Sequence, residues 1–153
     1  GIVAAAGAGD PETALVMLMQ SEGVEPGEAT LCAQADGLAA EFSGATAGDI
    51  VAGVVARAAA EQGLDSLAAA LAARSPTSLE AIVESHRAAR RLPDVGAVLA
   101  LDLRLAAFMA RQSDFAEGVR AVLVDKDHKP NWRPADFSDV DRAAIEGVIG
   151  ARG

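Results

Sequence analysis

Helix start and stop signals recur along this chain with no strand-like run between them, and that punctuation confines it to an all-α fold. Asp10-Pro11-Glu12, Thr46-Ala47-Gly48-Asp49, Ser75-Pro76 and Ser113-Asp114 each place a capping residue before an apolar, periodic stretch. A Ser, Thr or Asp side chain there accepts from the free N–H groups of the first turn, and proline is tolerated at the first helical residue. Gly23, Pro26-Gly27, Ser43-Gly44, Gly63 and Pro93 break the intervening segments. Alanine and leucine, both good helix formers, are abundant, while aromatics make up 3% and tyrosine is absent. A β-sandwich or barrel would want β-branched and aromatic strands instead.

The pattern predicts about seven helices in a compact bundle, followed by an arm rich in proline and tryptophan. The first starts at Asp10, with Leu15, Leu18 and Met19 on one side. The second covers residues 28–42 with Leu31, Leu38 and Phe42 inward, and the third runs from Thr46 to near Gly63 with Ile50, Val51, Val54 and Val55. Further helices are expected over residues 64–73, 76–91, 94–112, from Ser113, and over 140–149. Within 94–112, Val95, Val98, Leu99, Leu105, Ala106 and Met109 share one face at the helical period. Pro130 and Pro134 mark residues 125–137 as an ordered arm.

The 153 residues suffice for one packed core. The net charge is -9 and unevenly spread: residues 1–56 hold acids from Asp10 to Asp49 and no Lys or Arg, and all 13 bases lie from Arg57 onward. So acidic a chain is a poor general binder of nucleic acid or of an anionic membrane, and any phosphate contact belongs to the later part. Cys32 is the only cysteine, so no intramolecular disulfide can form; it reads as a small buried apolar residue. With no span-length apolar run and no signal-peptide pattern, the expected location is cytoplasmic. The chain begins Gly1-Ile2-Val3 rather than with Met, as expected of a processed chain or a piece of a longer one.

Familiar catalytic patterns are absent: there is no G-x-S-x-G, no H-E-x-x-H and no P-loop, and Gly7-Ala8-Gly9 lacks the third glycine of a dinucleotide fingerprint. His86, His128 and Cys32 have no metal-ligand spacing, so no metal site is expected. Asp102 falls inside the apolar stripe of residues 94–112, where an ionised carboxylate needs a partner. Arg120 on the next helix is the expected partner, and a core ion pair that fixes helix packing is preferred to an acid serving a cleft. In the arm, Lys126 and Lys129 are the only lysines; with His128 and Arg133 they form the densest basic cluster, beside the only tryptophan, Trp132. Trp132 is expected to dock the arm onto the helices. The lysines either bind a phosphate or keep the arm soluble.

Ser113-Asp114-Phe115-Ala116-Glu117-Gly118-Val119-Arg120-Ala121-Val122-Leu123-Val124-Asp125-Lys126-Asp127, then Pro130, Trp132 and Pro134, resembles the C-terminal pattern of 3-hydroxyisobutyryl-CoA hydrolases. These belong to the crotonase (enoyl-CoA hydratase/isomerase) superfamily. Asp-Phe-x-Glu-Gly is shared across that superfamily, whereas the Asp-Lys-Asp and Pro-x-Trp-x-Pro continuation marks the hydrolase branch. Ser75-Pro76-Thr77-Ser78-Leu79 and Leu101-Asp102-Leu103-Arg104-Leu105 agree, although Asp102-Leu103 stands where the family has Glu-Tyr. The resemblance runs from about Asp49 to Phe137.

The resemblance implies that residues 46–153 are the helical C-terminal region of an acyl-CoA thioester hydrolase of valine catabolism, preceded by an acidic segment over 1–45. It implies that the oxyanion-hole amides and catalytic carboxylates lie elsewhere, with no catalytic residue on this chain and no tightly bound cofactor. A CoA thioester is the implied substrate, with Lys126 or Lys129 near its phosphates. The implied partners are the crotonase core of the same enzyme and further copies of the chain. An apolar face left without its cover predicts self-association. Two rivals remain. One is a stand-alone helical interaction module whose base-free first third docks a basic protein. The other is a hydratase or isomerase of the same superfamily, which the Asp-Lys-Asp and Pro-x-Trp-x-Pro pattern argues against.

Overall fold

The computed structural model describes residues 30–151 together with Thr13, Val16 and Met17. The side chains Leu15, Leu18 and Met19 of the expected first helix lie outside the described residues. The chain divides into two units, Gly1–Gly37 and Leu38–Gly153. In the first, α1 (Thr30–Gly37) is described. It buries none of residues 32–37, so Cys32 is exposed and not the buried apolar residue expected.

The second unit carries α2 (Ala39–Phe42), α3 (Ala47–Ala60), α4 (Asp65–Ala72), α5 (Pro76–Ala89), α6 (Val95–Met109) and α7 (Ser113–Val119). A π-helical turn (Arg120–Val124), the arm, a 3-10 turn (Phe137–Asp139) and α8 (Arg142–Gly150) follow. The described residues include no strand, so the helical class read from the punctuation stands. None of their helices is long and apolar enough to cross a membrane.

Two expected starts form as written. The Thr46 side chain accepts from Asp49 N at 3.0 Å while the Asp49 carboxylate accepts from Thr46 N at 3.0 Å, a reciprocal cap on α3. Ser75 Oγ accepts from Ser78 N at 3.1 Å with Pro76 in the first turn of α5. Asp94 and Asp141 cap α6 and α8 in the same way.

The core lies where α5, α6 and α8 meet. Ala81, Val140 and Ile145 are buried there, with Leu105, Phe108, Met109 and Ile149 packed against them. Ile50, Val51 and Val54 bury the inner side of α3. The α3 helix bears Gly48 where Phe137 closes in: an added Cβ would sit 3.0 Å from the Phe137 side chain, so any larger residue there would require the end of the arm to shift by a few tenths of an ångström.

The inward stripe of α6 differs from the expected one. Val98, Leu101, Leu105, Phe108 and Met109 turn inward, with Leu101 1% exposed. Val95, Leu99 and Leu103 turn outward at 73%, 62% and 73% exposure, and Asp102 lies exposed among them. The helix is apolar nearly all round, so periodicity alone could not choose its face.

Candidate functional site: the arm and the cavity beside α7

Two acids three residues apart on α7 hold the arm. Asp114, 5% exposed, accepts the Ser75 hydroxyl at 2.6 Å through Oδ2 and the Arg133 N–H at 2.7 Å through Oδ1. Glu117 Oε1 accepts the Asn131 N–H at 2.7 Å. Residues three apart on a helix share a face, and alternate N–H groups of an extended chain point the same way, so the two spacings match. The cap expected from Ser113-Asp114 does not form. The residue before α7 is Gln112, with no side-chain cap; both acids are engaged by tertiary N–H donors instead.

Arg120 gathers the rest of the arm. Its guanidinium meets Glu117 through Nε at 2.9 Å and Nη2 at 2.8 Å, a paired contact. Nη1 reaches Asp125 at 2.6 Å and Asp127 at 2.8 Å, and Nη2 donates to the Lys129 carbonyl at 3.2 Å. The guanidinium, helped by the Asn131 N–H, draws the Glu117 carboxyl down to about 2, and Arg120 with the Lys129 N–H lowers Asp127 as well.

The expected Asp102–Arg120 pair does not form. Asp102 lies on the outward face of α6, in solvent, and needs no buried cation. Arg120 has three carboxylates within seven residues of itself, reached with almost no loop-closure cost.

Asp125 N donates to the Arg120 carbonyl at 2.8 Å, the five-residue step of a π turn, and His128 N donates to the Ala121 carbonyl at 3.1 Å. Lys126 and His128 both take φ of 55°, a left-handed conformation uncommon outside glycine. Lys126, His128 and Lys129 are exposed. The Arg133–Pro134 peptide is cis.

Trp132 sits half-buried between the two held residues. Its Nε1 donates to the Ala73 carbonyl at 2.9 Å, an acceptor left over at the end of α4. Its ring lies over Gly118, where an added Cβ would be 3.5 Å from the indole. Trp132 thereby forms part of an open cavity of about 400 Å3, whose apolar lining includes Met109, Phe115, Val119, Val122 and Leu123 and whose polar lining is Ser78 and Asp114.

Sequence reasoning missed Glu80. It is 2% exposed on α5, accepts the Ala47 N–H at 2.9 Å at the start of α3, and lies 2.9 Å from Arg142 Nε on α8. The available signal was an acid beside Thr77 and Ala81 on the buried face of α5. Among the described residues no cluster of His, Cys, Asp and Glu could hold a metal ion.

Residues 4–149 match the enoyl-CoA hydratase/isomerase family, and the chain belongs to it. The mitochondrial 3-hydroxyisobutyryl-CoA hydrolase of Dictyostelium discoideum is 34% identical over 75 residues, covering 49% of this chain and 20% of that protein. The bovine and human mitochondrial 3-hydroxyisobutyryl-CoA hydrolases are each 43% identical over 68 residues, covering 43% of this chain and 17% of each enzyme. The match thus spans 17–20% of the length of these relatives. A crystal structure of a carnitinyl-CoA dehydratase from Mycobacterium thermoresistibile is similar at a TM-score of 0.78 and 28% identity, covering 99% of this chain and 42% of that one. The superfamily resemblance read from residues 113–134 is borne out. The expected cytoplasmic location is overturned, because these relatives are mitochondrial by name; a lone cysteine reports on redox state and not on compartment.

Proposed function

We propose that this chain is the helical lid and assembly region of an acyl-CoA thioester hydrolase like the 3-hydroxyisobutyryl-CoA hydrolases, inactive without a crotonase core. In this reading residues 46–153 form the lid and residues 1–45 the acidic segment leading into it. The observation that carries the reading is the pair of uncovered apolar surfaces. One is the outward face of α6 with Val95, Leu99 and Leu103; the other runs from Phe115 and Val119 to Val122, Leu123 and Val124. Surfaces of this kind mark places where another body packs. The similar dehydratase supplies the rest of a fold of which this chain matches 42%.

The two buried acids among the described residues support the same reading. Thioester hydrolysis needs an oxyanion hole and a carboxylate free to handle a proton. Asp114 is committed to Ser75 and Arg133, and Glu80 to Ala47 and Arg142. Lys126 and Lys129 are exposed on the arm itself, and in this reading they meet a CoA phosphate.

The test is hydrolysis of a CoA thioester by this chain alone, by the separately expressed crotonase core of a relative, and by the two mixed. Turnover that needs both parts, weakened by Lys126→Ala/Lys129→Ala, is the expected result. Turnover by this chain alone refutes the reading. Sedimentation of the chain alone should show self-association that the core suppresses.

A further inference from the structure

Trp132 is flanked by the two arm residues whose N–H groups α7 accepts, Asn131 on Glu117 and Arg133 on Asp114. The two carboxylates are not equivalent. Asp114 is buried and also accepts from Ser75, so it ties α7 to the start of α5. Glu117 is half-buried, and its hydrogen bonds run to Arg120 and Asn131. Arg120 has Asp125 and Asp127 besides, so it keeps two counter-charges when Glu117 is neutralised. Loss of the Glu117 charge therefore loosens residue 131 without stranding a cation, while Asp114 continues to hold residue 133.

We propose that Glu117 is a positioning residue: through the Asn131 N–H it holds Trp132 as one wall of the apolar cavity beside α7, and so sets access to that cavity. The use of the cavity rests on the lid reading above; the positioning does not. The indole is fixed by its Nε1 bond to Ala73, by the bare Cα of Gly118 beneath it, and by the backbone on either side. Release of residue 131 removes one of the two backbone holds. The ring can then leave the wall and uncover the partly buried Met109 and the Gly118 backbone that line the cavity with it.

Trp132 is the only tryptophan and there is no tyrosine, so intrinsic fluorescence reports on this wall alone. Two variants break the same bond from opposite sides. Glu117→Gln weakens the acceptor, and Asn131→Pro removes the donor while leaving the Glu117–Arg120 pair intact. Each is expected to red-shift the emission and raise acrylamide quenching of Trp132 about twofold through local opening, with the far-UV circular dichroism unchanged. The double variant should add little, since both changes act on one contact. Wild-type quenching in Asn131→Pro overturns the proposal. If Glu117→Gln loses helical signal, Asn131→Pro decides alone, and loss of the fold in both assigns Glu117 a structural role and overturns positioning. These measurements need no substrate, so their failure strikes the positioning role and leaves the lid reading to the hydrolysis assay.

Discussion

Glu80 and Arg142 form an ion pair with one partner buried and the other not, and the two ends should not be equally costly to remove. The Glu80 side chain is 3% exposed and the Arg142 side chain 40% exposed. Arg142→Ala leaves the carboxylate in the interior with the Ala47 N–H as its remaining donor. Removing one partner of a buried pair typically costs about 3–5 kcal/mol because a charge is left uncompensated. The start of α3 supplies a favourable helix dipole, and solvent already screens Arg142, so about 2–3 kcal/mol is expected here. Glu80→Gln retains the volume and the acceptor for Ala47, and Arg142 turns to water and to Glu84, 3.8 Å away. Its cost should be about 1 kcal/mol, that of a weakened hydrogen bond. In the double variant no buried charge remains, so the cycle should couple by about 1–2 kcal/mol. Urea unfolding at neutral pH, followed by circular dichroism, measures all four proteins. If Glu80→Gln costs as much as Arg142→Ala, or the cycle is additive, the assignment of the cost to the buried carboxylate is wrong.

Glu117 predicts a pH effect of definite sign. Its carboxyl is lowered in the folded chain from 4.5 to about 2. Its contribution is thus present above about 4.5 and lost as pH falls toward 2; an acid titration of Glu117→Gln should be flatter than wild type across that interval. Leu101→Ala, at a site 1% exposed, should cost about 2–4 kcal/mol in denaturant unfolding by cavity formation. Asp102→Asn should leave stability within about 0.5 kcal/mol, as for an exposed residue; a loss of several kcal/mol would restore the buried pair that the geometry denies. Thr46→Ala removes the cap on α3 and should lower the stability by about 1 kcal/mol.

The elements that the sequence made legible were those fixed by neighbouring residues. Thr46 with Asp49, and Ser75 with Pro76, need nothing beyond their own turn, and both caps form where local chemistry puts them. What escaped was decided across the chain. Asp114 and Glu117 have capping spacing, but the acceptors went to Ser75, Asn131 and Arg133, which only the folded arm brings near. The face of α6 was ambiguous because Val95, Leu99 and Leu103 compete with Val98, Leu101 and Leu105 as an apolar stripe. The expected stripe took Val98, Leu105 and Met109 correctly but added Val95, Leu99 and Ala106, which turned it toward Asp102 and created a need for Arg120 that did not exist. Trp132 and the arm prolines were visible as a stiff segment; that the ring would end on the Ala73 carbonyl was not.

The π turn has a geometric consequence. Val122, Leu123 and Val124 follow one another through it, all more than half exposed. Successive side chains of any helix radiate in different directions, so no flat neighbour can shield three in a row. Whatever body covers this corner must be concave, gripping it as a socket grips a peg, and its inner rim must be greasy on more than one side.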